Sequence, residues 1–128
     1  METALTTKKF SHTVPFLPVN NLQETIAYYR YVLGFSKEWF WGDPPTDAGI
    51  SRDNMKLLFG KNPEMVQHMQ GFEVMLFVEG IDAIYEEHAL KDVTIVSDIE
   101  DKPWGVREYT IKEINGYHLR IAESANQY

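Results

Sequence analysis

The chain has 128 residues, of which 44% are hydrophobic and 13% aromatic, enough apolar material for the packed core of one compact domain. It contains no cysteine, which excludes a disulfide scaffold and a thiolate zinc site and is typical of proteins of the reducing cytoplasm. The formal net charge is −7, so nucleic acid is a poor partner because phosphates would be repelled. A cationic or amphipathic small molecule is favoured instead.

The sequence predicts neither export nor insertion into a membrane. Residues 1–11 carry two lysines but lack the apolar core of a signal peptide. No segment approaches the ~20 consecutive apolar residues that are needed to span a bilayer. We therefore expect a soluble, cytoplasmic protein with no membrane partner.

The first half of the sequence predicts a strand, a helix and two further strands. Residues 14–19 form a short apolar run with two prolines, which is typical of an edge or bulged strand. Asn21, with a glutamate three residues later, is a candidate helix N-cap, and apolar residues at helical spacing continue to the expected stop at Gly34. Aromatic and apolar runs at 35–41 and 55–59 predict the next strands.

The second half repeats this order in a shorter form. Residues 72–78 predict a strand, and apolar residues at helical spacing predict a helix over 81–88. A strand at 93–96 follows, and then a hairpin with arms at about 107–113 and 117–122. The second half therefore repeats the order of the first, with one more strand than the first half predicts.

Sliding one half of the chain over the other aligns them along their whole length, for example Val19 on Val78. We interpret this as a duplication, the alternative being a chance similarity of two amphipathic units. It divides the chain into a first βαβββ module (10–62), a linker (63–71) and a second βαβββ module (72–124) of one α+β domain. Each module is too small to bury its sheet alone, so we expect the sheets to pair into a cup, within or between chains, with a ligand site on the concave face.

The pattern Pro103-Trp104-Gly105, Arg107-Glu108, Asn115-Gly116-Tyr117 resembles the vicinal-oxygen-chelate superfamily of glyoxalases, extradiol dioxygenases and bleomycin-resistance proteins. Residues 22–35 and 72–88 resemble it too, and the similarity runs from about 14 to 123. The 103–117 pattern is more similar to the bleomycin-resistance branch. The resemblance implies a curved, cup-like mixed sheet and a homodimer whose interface clefts hold a cationic glycopeptide on which no chemistry is performed.

The same resemblance allows the metal ligands of the enzymatic branches to be checked. Those branches place a His, Glu or Gln on the first and the last strand of each module, and the matching positions here are Val14, Leu58, Glu73 and Arg120. Only Glu73 could bind a divalent ion, whereas such sites need about three to four donors. The sequence also lacks the histidine spacing of a helical zinc motif and a recognisable serine triad. We expect no metal and no cofactor, with at most a weak site at Glu73.

The final hairpin predicts which side chains share a face. A two-residue turn at Asn115-Gly116 would place Tyr109 opposite Ala122 and turn Tyr109, Glu113 and Arg120 towards the cup. Glu113 could then pair with Arg120. A bulged three-residue turn would change these partners.

Aromatic side chains complete the candidate site. Trp39 and Trp41 share one face of their strand, either lining the site or packing in the core, and Trp104 resembles a ligand-stacking residue of the bleomycin-resistance proteins. Together with the acidic composition, the resemblance implies a metal-free protein that sequesters a small, cationic, partly aromatic compound such as a bleomycin-type antibiotic. One alternative is a metal-dependent glyoxalase-like or dioxygenase-like enzyme with ligands at other positions. Another is that the cup binds an unrelated metabolite and that resistance is only the family label. The candidate ligand-binding residues are Trp39, Trp41, Phe59, Glu73, Trp104, Arg107, Tyr109, Glu113 and Arg120.

Overall fold

The computed structural model describes residues 6–125, so residues 1–5 of the segment checked for a signal peptide lie outside it. The described elements, in chain order, are β1 (Phe16–Val19), α1 (Leu22–Tyr31), β2 (Lys37–Trp41), β3 (Asp47–Arg52), β4 (Met55–Lys61), α2 (Pro63–His68), β5 (Glu73–Phe77), α3 (Ile81–Ala89), β6 (Thr94–Asp101), β7 (Val106–Lys112) and β8 (His118–Ser124). Within 6–125, no helix is long and apolar enough to cross a membrane.

The strands form two four-stranded sheets of the same topology. Their orders are β1-β4-β3-β2 in the first sheet and β5-β8-β7-β6 in the second. In each sheet the first strand pairs in parallel with the last, and the remaining pairs are antiparallel. With α1 and α3 as their helices, both units have the order βαβββ, and the predicted α+β fold of two such modules is confirmed. The short helix α2 lies within the predicted linker.

Helix α1 begins where the sequence predicts it. The Asn21 side chain accepts a hydrogen bond of 2.8 Å from the backbone N–H of Glu24, which satisfies one of the free donors of the first turn. The helix buries Leu22 and Ile26 against its sheet. After its last turn, Gly34 has a φ of 79°, a left-handed conformation that suits glycine and redirects the chain into β2.

One hydrophobic core joins the two modules. It contains buried side chains from both sheets, including Val19, Phe59, Leu76, Tyr109 and Ile121. Because successive side chains of a strand alternate between its two sides, the residues between these core positions point away from the core. Each sheet therefore has a helix-covered face in the core and a helix-free face outside it.

Polar contacts also hold the modules together. The Tyr29 hydroxyl of α1 donates a 2.7 Å hydrogen bond to the buried carboxylate of Glu113 in the β7–β8 turn. In the same turn, the Asn115 side chain accepts a 2.9 Å bond from the backbone N–H of Asn20. On the other side, Arg52 at the end of β3 forms a 2.9 Å ion pair with Glu87 of α3.

The β7–β8 hairpin has a bulged turn and not the two-residue turn. Glu113 N–H donates to the carbonyl of Tyr117 at 2.8 Å, and Gly116 N–H donates to the carbonyl of Glu113 at 2.9 Å. Gly116 has a φ of 92°, as expected for the left-handed residue of such a bulge. Tyr109 consequently pairs with Ile121 and not with Ala122. This shift of one residue turns Tyr109 and Glu113 to the helix-covered side, so the predicted register was wrong.

Candidate ligand-binding faces

The helix-free side of the first sheet, the first face, presents aromatic side chains. Trp39 pairs with Gly49 across β2 and β3, and Gly49 pairs with Leu58, which lies beside Phe16 of β1. The Phe16 side chain is 58% exposed and Trp41 is 68% exposed. Exposed rings on an ordered sheet are suited to stacking on a flat ligand. Trp39 and Trp41 thus lie on one accessible surface, as their alternation predicts.

The helix-free side of the second sheet, the second face, is built around Arg120. Its Nε donates a 2.6 Å hydrogen bond to Oε2 of Glu108, and its Nη1 lies 3.3 Å from Oε1 of Glu73. The indole N–H of Trp104 donates to Oε1 of Glu108 at 3.4 Å, which attaches the Trp104 loop to this face. The second face therefore combines one guanidinium, two carboxylates and a half-exposed indole.

Burial and charge oppose each other at Glu108. This carboxylate is 3% exposed, and the loss of water alone would raise its pKa. The hydrogen bond from Arg120 and the positive charge of that residue outweigh burial, so the pKa of Glu108 is lowered. Conversely, the hydrogen bond to Glu108 raises the pKa of Arg120. The Arg120 guanidinium is thus paired with the carboxylates of its own face and is not available to bind an anionic ligand.

Two candidate residues belong to the core and not to a ligand surface. Phe59 and Tyr109 each have an exposure of 0%. The Phe59 ring packs against Tyr29, with ring centroids 5.1 Å apart. Tyr109 contacts α3, where its hydroxyl lies 2.7 Å from Nδ1 of His88. The predicted ligand contacts of these two residues are corrected accordingly.

Two further candidates also lie on the helix-covered side. Glu113 is 3% exposed and accepts hydrogen bonds from Tyr29 and from the backbone of its own turn, so it does not pair with Arg120. Arg107 bonds to Asp82 of α3 at 2.9 Å. Both residues lie on this side because the observed hairpin register reverses which side chains of β7 face the helix. The candidates that remain on or beside the helix-free faces are Trp39, Trp41, Glu73, Trp104 and Arg120.

Several residues of these faces were missing from the candidate set. Phe16 and Phe77 are large apolar side chains that are 58% and 51% exposed at the two sheet edges. They lie one residue away from the buried Leu17 and Leu76, so strict alternation along β1 and β5 would have identified them. Glu108 carries no such local signal, because its role depends on Arg120, twelve positions later in the chain.

Sequence comparison assigns the family. The model of the Glyoxalase/Bleomycin resistance protein/Dioxygenase superfamily matches residues 9–121.

The chain belongs to this superfamily.

Several solved structures have the same fold. A bleomycin-binding protein from Streptomyces verticillus, solved with copper(II)-bleomycin, is 21% identical, with 94% of this chain and 100% of that chain covered and a TM-score of 0.74. A bleomycin resistance determinant encoded on the transposon Tn5 is 19% identical, with 91% and 100% covered and a TM-score of 0.76. A glyoxalase-related enzyme from Clostridium phytofermentans is 21% identical, with 93% and 98% covered and a TM-score of 0.76. No curated protein sequence matches the chain.

The metal ion used by enzymes of this superfamily does not fit the residues at the matching positions. Val14 and Leu58 have no donor atom, and Arg120 places a guanidinium against the carboxylate of Glu73. A divalent cation there would be repelled by Arg120 and would find one donor among the four matching positions, where three or four are needed. Across residues 6–125, His, Asp and Glu nowhere form a group of three or more that could hold a metal ion. We therefore derive no chemical step through a metal.

Proposed function

We propose that this protein is a metal-free small-molecule binding protein that sequesters a cationic, partly aromatic compound of the bleomycin type. The observation that carries the proposal is the second face, where Arg120 occupies a metal-ligand position and is neutralised by Glu73 and Glu108. The residues at this position favour recognition over metal-assisted chemistry. The exposed Trp104 beside them offers a ring for stacking.

The exposed indoles of both faces and the charge of the second face support a cationic aromatic ligand. Trp41 and Trp104 are 68% and 55% exposed, and indole rings attract cations as well as flat rings. The second face has two carboxylates for one guanidinium. The Streptomyces verticillus relative, which was solved with copper(II)-bleomycin, supports this ligand class.

We further propose that the binding site is completed by a second copy of the chain in a cytoplasmic homodimer. The two helix-free faces point away from the core that the modules share, and each exposes large apolar side chains such as Phe16, Trp41 and Phe77. Exposed apolar surface of this kind is typical of an interaction site. Joining the first face of one copy to the second face of another would enclose a ligand between the rings.

The ligand proposal is tested by titrating bleomycin into the protein while tryptophan fluorescence is followed. We expect saturable binding that is unchanged after treatment with EDTA, because no metal takes part. Trp104→Ala should weaken binding about two- to tenfold, the equivalent of one lost stacking contact. Tyr31→Ala is the matched control, since Tyr31 is a ring of similar exposure on α1, outside both faces.

Three results would contradict this function. Absence of a fluorescence change at micromolar bleomycin would reject the antibiotic as a ligand. Equal losses of bleomycin affinity in Trp104→Ala and Tyr31→Ala would show that bleomycin does not bind at the second face. Stoichiometric zinc, nickel, manganese or iron in the purified protein, measured by elemental analysis, would favour the metal-dependent alternative.

A further inference from the structure

Two glycines let aromatic rings lie flat on the first face. A Cβ atom on Gly49 would be 2.1 Å from Cζ2 and 2.4 Å from Cε2 of Trp39, so the indole lies directly across the glycine backbone. A Cβ on Gly60 would be 2.8 Å from Cε1 of Phe16. Neither glycine has a positive φ, so its role here is the space that a side chain would occupy. Any larger residue at either position would push the ring above it away from the sheet surface.

The rings and glycines form a continuous floor. Trp39, Gly49, Leu58 and Phe16 are neighbours across the four strands in the order β2, β3, β4, β1. Leu58 is the only side chain between the two rings in this row. A flat conjugated molecule could therefore contact both rings at once without meeting a tall side chain.

Opposite charges lie at the two ends of this floor. The Lys56 ammonium is 5.5 Å from the centre of the Trp39 ring. Asp47 lies at the other end, where one carboxylate oxygen is 3.8 Å from the Cβ position of Gly60 and the other accepts a 2.6 Å bond from Thr46. Within residues 6–125, neither Lys56 nor Asp47 forms a salt bridge.

The spacing of these charges follows from the strands. Asp47 pairs with Gly60, which lies four residues after Lys56 on β4. At about 3.4 Å per residue, the backbone positions of Lys56 and Asp47 are roughly 14 Å apart along the strand, and the Lys56 ammonium lies over the Trp39 ring. A conjugated molecule of two linked rings fits within that span.

We propose that the first face binds a flat, conjugated molecule that carries a positive group at one end and a negative group at the other. Its rings stack on Trp39 and Phe16, the positive group lies towards Asp47, and the negative group lies towards Lys56. A cationic group at the Lys56 end or an anionic group at the Asp47 end would be repelled, and a ligand with one charge leaves one end without a partner. A neutral ligand would displace water from Lys56 and Asp47 without supplying an opposite charge to either. The inference rests on the proposed small-molecule function and adds charge order and shape to it.

Three probes of one shape test the charge order. The zwitterion is 4-(4-carboxystyryl)-N-methylpyridinium, the cation is N-methyl-4-styrylpyridinium, and the anion is stilbene-4-carboxylate. Binding is measured by calorimetry on the full chain. We expect the zwitterion to bind about two- to fivefold more tightly than either of the others, the range of an exposed ion pair.

The two charge variants should lower the affinities of different probes. In Asp47→Asn, the zwitterion should bind no better than the anion, because its positive group has lost its partner. In Lys56→Met, it should bind no better than the cation. Asp53→Asn and Lys61→Met make the same charge changes in the same module but away from the floor, and both should leave the order of the three probes unchanged.

The glycine contribution is tested separately. Gly49→Ala should weaken all three probes about two- to tenfold, because the Trp39 ring can no longer lie flat. Trp39→Ala, which introduces no clash, should give a similar loss and covers the case in which Gly49→Ala does not fold. Emission from Trp39 in a Trp41→Phe/Trp104→Phe background should be quenched by the zwitterion.

The outcomes distinguish this inference from the proposed function. Equal affinities for the three probes, or equal effects of both charge variants on all of them, would overturn the charge order. Bleomycin binding that is insensitive to Gly49→Ala, Asp47→Asn and Lys56→Met would uphold the proposed function and reject this inference. Zwitterion selectivity without bleomycin binding would uphold the inference and reject the antibiotic.

Discussion

Arg120 determines the ionisation of a nearly buried carboxylate. Glu108 is 3% exposed, whereas the Arg120 side chain that binds it is 26% exposed. Removing the arginine would leave Glu108 buried without a countercharge, and breaking such a pair costs more than the pair contributes to stability. The effect of a substitution at Arg120 should therefore appear first in the protonation of its partner.

Arg120→Met should lower the free energy of unfolding by about 1–3 kcal/mol at neutral pH, the cost of an unsatisfied charged group that water can partly reach. The pKa of Glu108 is lowered in the folded protein, so its contribution to stability is present above the unfolded value and is lost as pH falls through the folded one. The difference between wild type and variant should hence shrink on acidification in urea unfolding. Adding Glu108→Gln should recover much of the loss, and a difference that is constant with pH would contradict this account.

At the scale of elements, the β7–β8 turn connects the modules through Glu113. Burial is the largest influence on this carboxyl and raises its pKa, although the hydrogen bonds from Tyr29 and from the backbone of Tyr117 and Asn115 oppose that rise. Because the folded pKa lies above the unfolded one, the contribution of the protonated form to stability is present at low pH and is lost as pH rises through the folded pKa.

Tyr29→Phe should lower the free energy of unfolding by about 1–3 kcal/mol, since it removes a hydrogen bond to a buried carboxyl. The bond favours the ionised form, so the loss should be greater at a pH above the raised pKa of Glu113 than at about pH 4, which lies below the pKa of an ordinary glutamate. Urea unfolding at both pH values measures it. In a Glu113→Gln background, which does not titrate, the loss should be the same at both, and a pH dependence there would argue against Glu113 as the cause.

The elements also show what the sequence could predict. The order of the elements, apart from β3, and the start of α1 follow from periodicity and capping. The hairpin register does not, because Asn115-Gly116 suits a two-residue turn as well as a bulged one, and the choice is stabilised by Tyr29, 84 residues away. Strand β3 has a weak apolar pattern because Asp47, Gly49 and Ser51 point to the first face. The small and polar residues of β3 that form the floor are therefore the same residues that make this strand hard to predict from the sequence.

At the scale of the molecule, β1 and β5 are sheet edges with exposed apolar side chains. Edge strands with such side chains are usually covered. We expect a homodimer with twice the 14.9 kDa mass of the chain in sedimentation equilibrium at micromolar concentration. Phe16→Lys combined with Phe77→Lys should shift the protein towards monomer, because both side chains lie on these edges. Leu90→Lys, at a residue that is 87% exposed outside both faces, should not. A wild-type monomer would contradict the proposed assembly.

The two connections between the modules respond differently to ionic strength. In each, the last turn of one module reaches the helix of the other: Glu113 reaches α1, and Arg52 reaches α3. The Arg52–Glu87 pair is 29% and 38% exposed and is open to screening by salt, whereas the Glu113 connection is buried. Added salt should thus weaken only the Arg52–Glu87 connection, by at most about 1 kcal/mol, while the shared core and the buried Glu113 connection keep the modules together.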